Sequence, residues 1–424
     1  MVGRSRSNAM SRTIPLLSEL LAPITATELD RHLGLLRVRL VTDGQTADAA
    51  TQAFVATLAN LLVRSGMTIQ VDQTLGSAVV AFPGFGLGRF SAGLDAAVPL
   101  MFPAARVDHS ASPTDFAIVL GDTPSPLAPE STIRVDATGR LAHVLWGPSR
   151  EATWQPANAL VAVAAAGLAS MELHKAALRT LPLRSETACE LLARSDASFT
   201  LPFELPEAVD VGRLDVISGG AISQNAIWTF AAVDGLAAYL RIFDRDRVEL
   251  SNANRCPFVL VHRLGGAKVD EIRALLPSRL RVEPIPRHFG IDDVQSTPMA
   301  PSVLVGADDI AVRHWVQAAS PEYLVVGATS HFEVVVSDHV MDSPCAGCVH
   351  PRADGVAPVQ IPTVSFVSFW AGYLCALRVI AHAIGEPFIP NNQLTVAFPL
   401  QANGGWTGPA SYRDDCPVGH RRVA

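Results

Sequence analysis

The chain has 424 residues, of which 49% are apolar and 17% charged, with a formal net charge of −7 and an isoelectric point near 5.9. This length exceeds one ordinary hydrophobic core, so two domains are expected. The acidic balance argues against nucleic acid as a partner, because binding to phosphate backbones needs a surplus of Lys and Arg. No stretch is typical of a membrane span or a secretory signal, and six cysteines are too few for a disulfide scaffold. We therefore expect a cytoplasmic protein that does not bind membranes.

Residues 1–180 have the alternating pattern of an α/β domain. Strands are predicted at 36–41, 78–82, 116–120 and 133–135, and helices at 49–63 and 158–178. Three glycines, Gly84, Gly86 and Gly88, could cradle a phosphate, but no strand-to-helix context surrounds them. A plain loop is the better interpretation of that segment.

Residues 181–212 carry scattered prolines and charges and are interpreted as a linker with one short helix near 188–192. A second α/β unit, residues 213–424, then shows much stronger signals. Its strands are predicted at 214–218, 239–244, 281–285, 303–305 and 323–327, and its helices at 222–236, 268–276, 309–319 and 366–384. This alternation predicts a Rossmann-like, mostly parallel sheet with ligands at the carboxyl ends of the strands. Because a long apolar helix closes each half, the first half is expected to be a decayed copy of the second, with a partner-binding domain as the alternative.

The first chemical signal is a strand that runs into glycines and then a helix, Asp215 to Ser223. Backbone N–H groups and the helix dipole can receive phosphate at such a turn. Gly219 and Gly220 are present, but serines replace two other glycines of the usual pattern, so this signal is weak alone. Asp244 ends the next predicted strand, 24 residues after Gly220, which is near the spacing at which an acid meets a ribose hydroxyl.

Asp244 also opens a longer motif that includes Asp246 and continues as Val-Glu-Leu-Ser-Asn252-Ala-Asn-Arg255. This resembles the D-x-D-x-V-x-x-S-N-x-x-R signature of the ThiF and ubiquitin-activating enzyme family. Two further family positions are in register. Lys268 follows Arg255 by 13 residues, and Asp308-Asp309 through Arg313 matches the D-N-x-x-x-R element, with Asp309 in place of Asn.

The resemblance covers residues 214 to 424 and implies an adenylyltransferase, which joins AMP from ATP to the C-terminal carboxylate of a ubiquitin-like protein or peptide. It implies that Arg255 and Lys268 hold the phosphates, Asp308 holds Mg²⁺, Asp244 contacts the ribose and Asn252 positions the phosphate region. Gly219, Gly220 and Asp246 join them in the expected nucleotide site. Such chemistry depends on positive groups and a divalent cation aimed at the phosphates.

The family usually dimerises, so a homodimer is expected, and it brings an arginine into the site from the partner subunit. Arg184, Arg194 and Arg213 precede the motif, but the sequence does not choose among them. Standalone bacterial relatives occur in ubiquitin-like conjugation operons, some of them antiviral. The resemblance therefore implies the activating step of a conjugation or sulfur-transfer pathway, with a downstream conjugating protein as a further partner.

A structural zinc site is expected from Cys345 and Cys348, since a C-x-x-C spacing lets both sulfurs face one ion. The family places a second C-x-x-C about as far along the chain as Cys416, which follows Cys348 by 68 residues. Gly419 replaces its second cysteine, so His420 is the expected fourth ligand and His350 the reserve. The alternative is a relic site with free thiols.

No cysteine lies in the stretch where ubiquitin-activating relatives carry the catalytic one. Cys375 and Cys189 are interpreted as structural. Cys256 directly follows Arg255, where cations would raise its thiolate fraction, but a packing role is favoured there too.

Three alternatives stay open. A microcin-type peptide-modifying adenylyltransferase fits the missing cysteine. An NAD-dependent oxidoreductase fits the glycines and Asp244 but gives Arg255 and Lys268 no role. A nucleotide-binding scaffold without catalysis fits the altered glycine loop.

Overall fold

The computed structural model describes residues 8–42, 48–71, 79–82, 86–103, 105–110, 113–147, 152–351, 362–386, 393–401 and 404–419. The strands are β1 Arg37–Val41, β2 Thr68–Val71, β3 Val79–Phe82, β4 Gly86–Arg89, β5 Val107–Asp108, β6 Phe116–Leu120, β7 Thr132–Gly139, β8 Leu141–Trp146, β9 Trp154–Pro156, β10 Ala197–Thr200, β11 Val209–Ile217, β12 Leu236–Phe243, β13 Leu280–Ile285, β14 Ser302–Val305, β15 Tyr323–Ser330, β16 Glu333–Val340, β17 Leu394–Ala397 and β18 Gly405–Gly408. The helices are α1 Thr13–Ser18, α2 Ala26–Leu35, α3 Ala49–Arg64, α4 Phe90–Met101, α5 Ala159–Arg179, α6 Glu186–Leu191, α7 Ala221–Ala232, α8 Lys268–Leu275, α9 Asp293–Ser296, α10 Ile310–Ala318, α11 Ala346–Val349 and α12 Ser365–Ala383.

Two sheets with largely parallel centres form the frame of the chain, as the α/β prediction required. The first has the order β5-β2-β1-β6-β7-β8-β10, with β9 beside β7, and the second has the order β13-β12-β11-β14-β15-β16-β17-β18. In each sheet the first five strands of this order are parallel and the next two are antiparallel. A small hairpin, β3-β4, stands apart.

The two sheets share one topology over seven strands. β1 corresponds to β11, β2 to β12 and β6 to β14, and the crossover helices α3 and α7 follow the equivalent strands β1 and β11. The long helices α5 and α12 then close the two halves. The two halves thus have the same strand order, and the interpretation of the first half as a decayed copy of the second stays a prediction.

The four helices α3, α5, α7 and α12 pack together and belong to one continuous hydrophobic core that extends through both halves. Gly167 of α5 lies against Phe369 of α12, and a Cβ atom at residue 167 would come within 2.2 Å of that ring. Polar contacts cross the same layer: the indole N–H of Trp228 donates to Thr57 Oγ1 at 3.0 Å, and the Tyr373 hydroxyl donates to the Leu160 carbonyl at 2.9 Å.

Helices α5 and α12 are long and apolar enough to cross a membrane by length and composition, although no span was expected from the sequence. Within the part of the chain that the structure describes, their most apolar windows are 94% and 89% buried. Core helices of globular proteins are also long and apolar on all sides, and the burial of α5 and α12 is typical of such helices.

Residues 181–212, predicted as a linker with one helix, contain α6, the edge strand β10 and the start of β11. β10 pairs antiparallel with β8 of the first sheet. The edge strand β10 could not be predicted, because a strand of four residues is too short to show a measurable alternation of apolar and polar side chains. The division of the chain into two domains remains a prediction.

The glycine series at 84–88 also differs from its expected loop. Gly86 and Gly88 lie in β4, whereas Gly84 lies outside the described residues.

Candidate active site

A polar cavity of about 410 Å³ lies where β11, β12 and β14 end, as expected for a parallel sheet. Ten of its described lining residues are Asp, Glu, Lys or Arg: Arg12, Asp244, Arg245, Asp246, Arg247, Glu249, Arg255, Lys268, Asp308 and Asp309. A second cavity of about 360 Å³ lies between β10, β17 and β18, and its described lining residues carry no ionisable side chain. The first cavity is therefore the candidate site.

The glycine turn after β11 brings the backbone close to the end of β12. Gly219 donates its N–H to Asp244 Oδ2 at 2.7 Å, and a Cβ atom at residue 219 would lie 3.3 Å from the same oxygen. Ser218 has a φ of 82°, in the left-handed region that favours glycine, and its hydroxyl accepts the Gly220 N–H at 3.1 Å. The serine therefore replaces the missing glycine at the expense of backbone strain and supplies its own cap for the turn.

The N-termini of the two equivalent helices differ in charge. Gly220 precedes α7 and gives it no side-chain cap, whereas the Asp48 carboxylate accepts the Thr51 N–H at 2.8 Å and caps α3. A carboxylate at a helix N-terminus occupies the position that favours an anion. Phosphate is therefore disfavoured at α3 and unobstructed by a side chain at α7.

Lys268, the first residue of α8, is buried and points toward the end of β12. Its ammonium group donates to Asp246 Oδ2 at 2.8 Å. Burial acts to lower its pKa, but Asp244 and Asp246 outweigh that effect and the pKa is raised. Asp244 accepts the Asp246 N–H at 2.7 Å, so the two acids and the lysine form one connected group.

The segment after this group holds Arg255 in place. Asn252 Oδ1 accepts the Glu249 N–H at 3.0 Å and shapes the turn that precedes the arginine. One guanidinium nitrogen of Arg255 donates to the Ser251 carbonyl at 2.6 Å and to Asn254 Oδ1 at 2.7 Å. Arg255 is 7% exposed and lines the cavity.

Asp308 and Asp309 have different roles at the end of β14. Asp309 caps α10, its carboxylate accepting the Ala311 N–H at 2.8 Å. Asp308 is exposed in the cavity and makes no hydrogen bond among the described residues. An unengaged carboxylate fits Mg²⁺, which prefers oxygen ligands.

Arg12, which the sequence interpretation missed, enters this cavity from the N-terminal segment. Arg184, Arg194 and Arg213 do not line it, and Arg194 instead stacks over the Trp146 ring at 4.5 Å. No sequence signal distinguished Arg12, because its position depends on how the two halves pack.

Backbone contacts place Arg12 between two loops of the second half. Its carbonyl accepts the Thr363 N–H at 3.2 Å, and the adjacent Thr13 hydroxyl accepts the Asn254 side-chain N–H at 2.6 Å. Burial and the nearby Arg255 lower the pKa of Arg12, while Asp308 raises it. The arginine thus adds positive charge between Arg255 and Asp308.

Three sulfurs meet away from this cavity. Cys345 Sγ lies 3.8 Å from Cys348 Sγ and 3.2 Å from Cys416 Sγ. Gly347 makes the approach possible, since a Cβ there would lie 3.0 Å from Cys416 Sγ. Burial and then the hydrogen bond with Cys416 raise the pKa of Cys345 to about 12. The cluster is compatible with structural zinc.

The two histidines weighed as fourth ligand have different outcomes. His420 lies outside the described residues. His350 does not join the sulfur cluster: its Nδ1 lies 3.2 Å from Arg313 and its Nε2 lies 3.3 Å from Ser337 Oγ. Both of its nitrogens therefore have partners other than the sulfurs.

The remaining cysteines differ in position. Cys189 is exposed and Cys375 is fully buried in α12. Cys256 lines the candidate cavity but is 2% exposed.

Comparison with known proteins gives limited matches, and no protein-family model matches the chain. The uncharacterized protein y4jF of Sinorhizobium fredii is 30% identical over 153 residues, which cover 35% of this chain and 29% of that protein. The chain thus spans less than a third of the curated relative it matches.

Solved structures resemble the chain weakly. A structure of E. coli MccB has a TM-score of 0.44 and 16% identity and covers 70% of this chain and 97% of its own. A structure of E. coli MccB with ATP has a TM-score of 0.42 and 14% identity and covers 69% of this chain and 98% of its own. A structure of PaaA has a TM-score of 0.38 and 16% identity and covers 47% of this chain and 64% of its own. At these values the likenesses carry no conclusion about what this chain does.

Proposed function

We propose that the chain is an adenylyltransferase that uses ATP and Mg²⁺ to activate the C-terminal carboxylate of a ubiquitin-like protein or peptide. The observation that carries the proposal is the convergence of Arg255, Lys268, Asp308 and Arg12 on one cavity at the carboxyl ends of the strands. A site for hydride transfer does not need three cations that bind phosphates together with a carboxylate that binds a metal ion.

In the proposed reaction a substrate carboxylate oxygen attacks the α-phosphorus of ATP. A carboxylate–phosphorus bond forms, the bond to the bridging oxygen breaks, and pyrophosphate leaves with the electron pair. Arg255, Lys268 and Arg12 stabilise the negative charge that accumulates, and Gly220 leaves the N-terminus of α7 free to face phosphate. Mg²⁺ held by Asp308 would supply further charge neutralisation.

The nucleoside of ATP would bind in another part of the same cavity. Asp244 lies at its floor, where its carboxylate can meet ribose hydroxyls, although both oxygens also accept backbone N–H groups. Phe243 and Phe289 pack edge to face with centroids 5.7 Å apart and line the cavity, so they provide an apolar wall for the base.

The test of this function is ATP–pyrophosphate exchange with purified protein, Mg²⁺ and two sets of peptides. One set ends in Gly-Gly, as ubiquitin-like proteins do, and the other contains short peptides with other C-termini; each has a C-terminally amidated control. Exchange that requires a free carboxylate is expected, and the better set separates the ubiquitin-like substrate from the microcin-type alternative. Bound ATP without exchange for any peptide would favour a scaffold, and no ATP binding would contradict the proposal.

We also propose that Cys345, Cys348 and Cys416 hold a structural zinc ion together with a fourth ligand. The C-terminal segment and α11 contact one another at this cluster, so the ion would tie the chain end to the second half.

Cys348→Ser is expected to reduce bound zinc from about one ion per chain to nearly none and to lower the free energy of unfolding by about 2 kcal/mol or more. Metal analysis and urea unfolding measure both effects. Cys189→Ser, which changes an exposed cysteine elsewhere, is the matched control. Wild-type protein that carries no zinc after purification without chelators would indicate a relic site.

A further inference from the structure

Arg64, at the end of α3, is a buried cation that donates to carbonyls in the other half of the chain, as well as to Asn60 and the Met101 carbonyl in its own half. The side chain is 1% exposed, and no carboxylate lies within ion-pair distance among the described residues. Burial lowers the pKa of Arg64 to about 9, which still leaves the guanidinium charged at neutral pH. A buried charge without a counterion is costly unless its donors are fully engaged.

The donors of Arg64 converge on one short segment. Its guanidinium donates to the carbonyls of Ala253 at 2.8 Å, Pro257 at 2.7 Å and Val259 at 3.1 Å. Its Nε donates to Asn60 Oδ1 at 2.7 Å, one turn earlier in α3, which fixes the plane of the fork. A planar group with five donors suits several carbonyls, whereas a lysine ammonium does not.

The clamped segment, residues 253–259, belongs to no regular helix or strand. Within it the Cys256 carbonyl accepts the Val259 N–H at 3.1 Å and the Arg255 carbonyl accepts from the Asn225 side chain at 3.2 Å. The other three carbonyls with side-chain donors accept from Arg64, and buried carbonyls without a partner are unfavourable. The segment contains Arg255 and Cys256, both of which line the candidate site. Because the Arg255 side chain is tied to Ser251 and Asn254, a shift of the segment moves the guanidinium with it.

We propose that Arg64 is a positioning residue through which the first half fixes residues 253–259, and thereby aims Arg255 into the cavity of the second half. The first half then serves the site directly, as an internal partner. The consequence for nucleotide binding rests on the proposed function, whereas the consequence for the order of the segment does not.

The test compares Arg64→Lys with Thr57→Val in the full-length chain. Thr57 lies two turns earlier in α3 and contacts the second half through Trp228, but makes none of the hydrogen bonds to the carbonyls of 253–259. Hydrogen–deuterium exchange over 251–260 is expected to rise about tenfold in Arg64→Lys and to stay unchanged in Thr57→Val. Calorimetry with ATP and Mg²⁺ is expected to show about tenfold weaker binding for the lysine variant alone.

Unchanged exchange over 251–260 in folded Arg64→Lys would overturn the proposal, and so would an equal rise in Thr57→Val, which would indicate general loosening between the halves. If Arg64→Lys does not fold, Asn60→Ala replaces it, with Asn60→Asp as its control. Alanine removes the acceptor that orients Nε and also the donation from Asn60 Nδ2 to the Pro257 carbonyl at 3.5 Å, whereas aspartate keeps the acceptor and removes only that donation. Faster exchange over 251–260 in Asn60→Ala but not in Asn60→Asp supports the proposal, and unchanged exchange in Asn60→Ala or an equal rise in both variants overturns it. Wild-type protein that binds no ATP would contradict the proposed function, while the exchange data would still decide the role of Arg64.

Discussion

Asp308→Asn is expected to lower Mg²⁺-dependent ATP–pyrophosphate exchange by a factor of about 10³, with little change in stability. The side chain is exposed in the cavity and makes no hydrogen bond among the described residues, so asparagine of the same shape costs the fold almost nothing. What is lost is the negative charge that holds the cation, and electrostatic groups of this kind carry several kcal/mol of transition-state stabilisation.

The neighbouring Asp309 offers a matched control. Its carboxylate caps α10, and asparagine caps a helix about as well as aspartate. Asp309→Asn should therefore keep both its melting temperature and its exchange rate. Titration of both variants with Mg²⁺ measures the difference, and near-normal exchange in Asp308→Asn at low Mg²⁺ would remove Asp308 from the metal site.

Part of the candidate site could be predicted from the sequence. The motif placed Asp308, Arg255 and Lys268 in register, and the structure brings all three to one cavity. Motif spacing predicts such convergence because the carboxyl ends of parallel strands meet at one edge of a sheet. That edge and the approximate strand positions were therefore predictable from local patterns.

Contacts between the halves were not predictable in the same way. Arg12 and Arg64 are far from the motif in sequence, and nothing in their neighbourhoods marks them as part of a site. Their roles depend on the packing of α3, α5, α7 and α12 in a shared core, a long-range property that periodicity does not encode. The repeated strand order could not be predicted for the same reason, since the sequence shows a likeness between the halves in their two long apolar helices but not in their strands.

Contacts between the halves bring side chains of the first half to the cavity of the second. The first half contributes Arg12 and Arg64 to the second, while Asp48 caps its own equivalent helix with a negative charge. A site that already receives its arginine from within the chain does not need a second copy for that purpose. The expected homodimer therefore remains a prediction without a structural requirement at this cavity.

Arg12→Ala is expected to lower the rate of ATP–pyrophosphate exchange by a factor of about 10², which is the second large effect. The backbone of this residue is held by Thr363 and its neighbour Thr13 by Asn254, so the N-terminal segment should stay in place when the side chain is shortened. Arg12 lies with Arg255 and Asp308 in the electrostatic surroundings of the cavity. Removing one of the three cations proposed to hold the phosphates weakens the stabilisation of the negative charge that develops as AMP is transferred.

Arg12→Lys separates charge from shape, because lysine keeps the charge but not the planar fork. We expect it to recover part of the lost rate, with ATP affinity nearer to wild type than in Arg12→Ala. Arg31→Ala, which removes an exposed arginine of α2, controls for net charge and should behave as wild type. Steady-state exchange at varied ATP measures all three variants. Wild-type rates in Arg12→Ala would show that the arginine only contributes to packing between the halves, and that the second half completes its site alone.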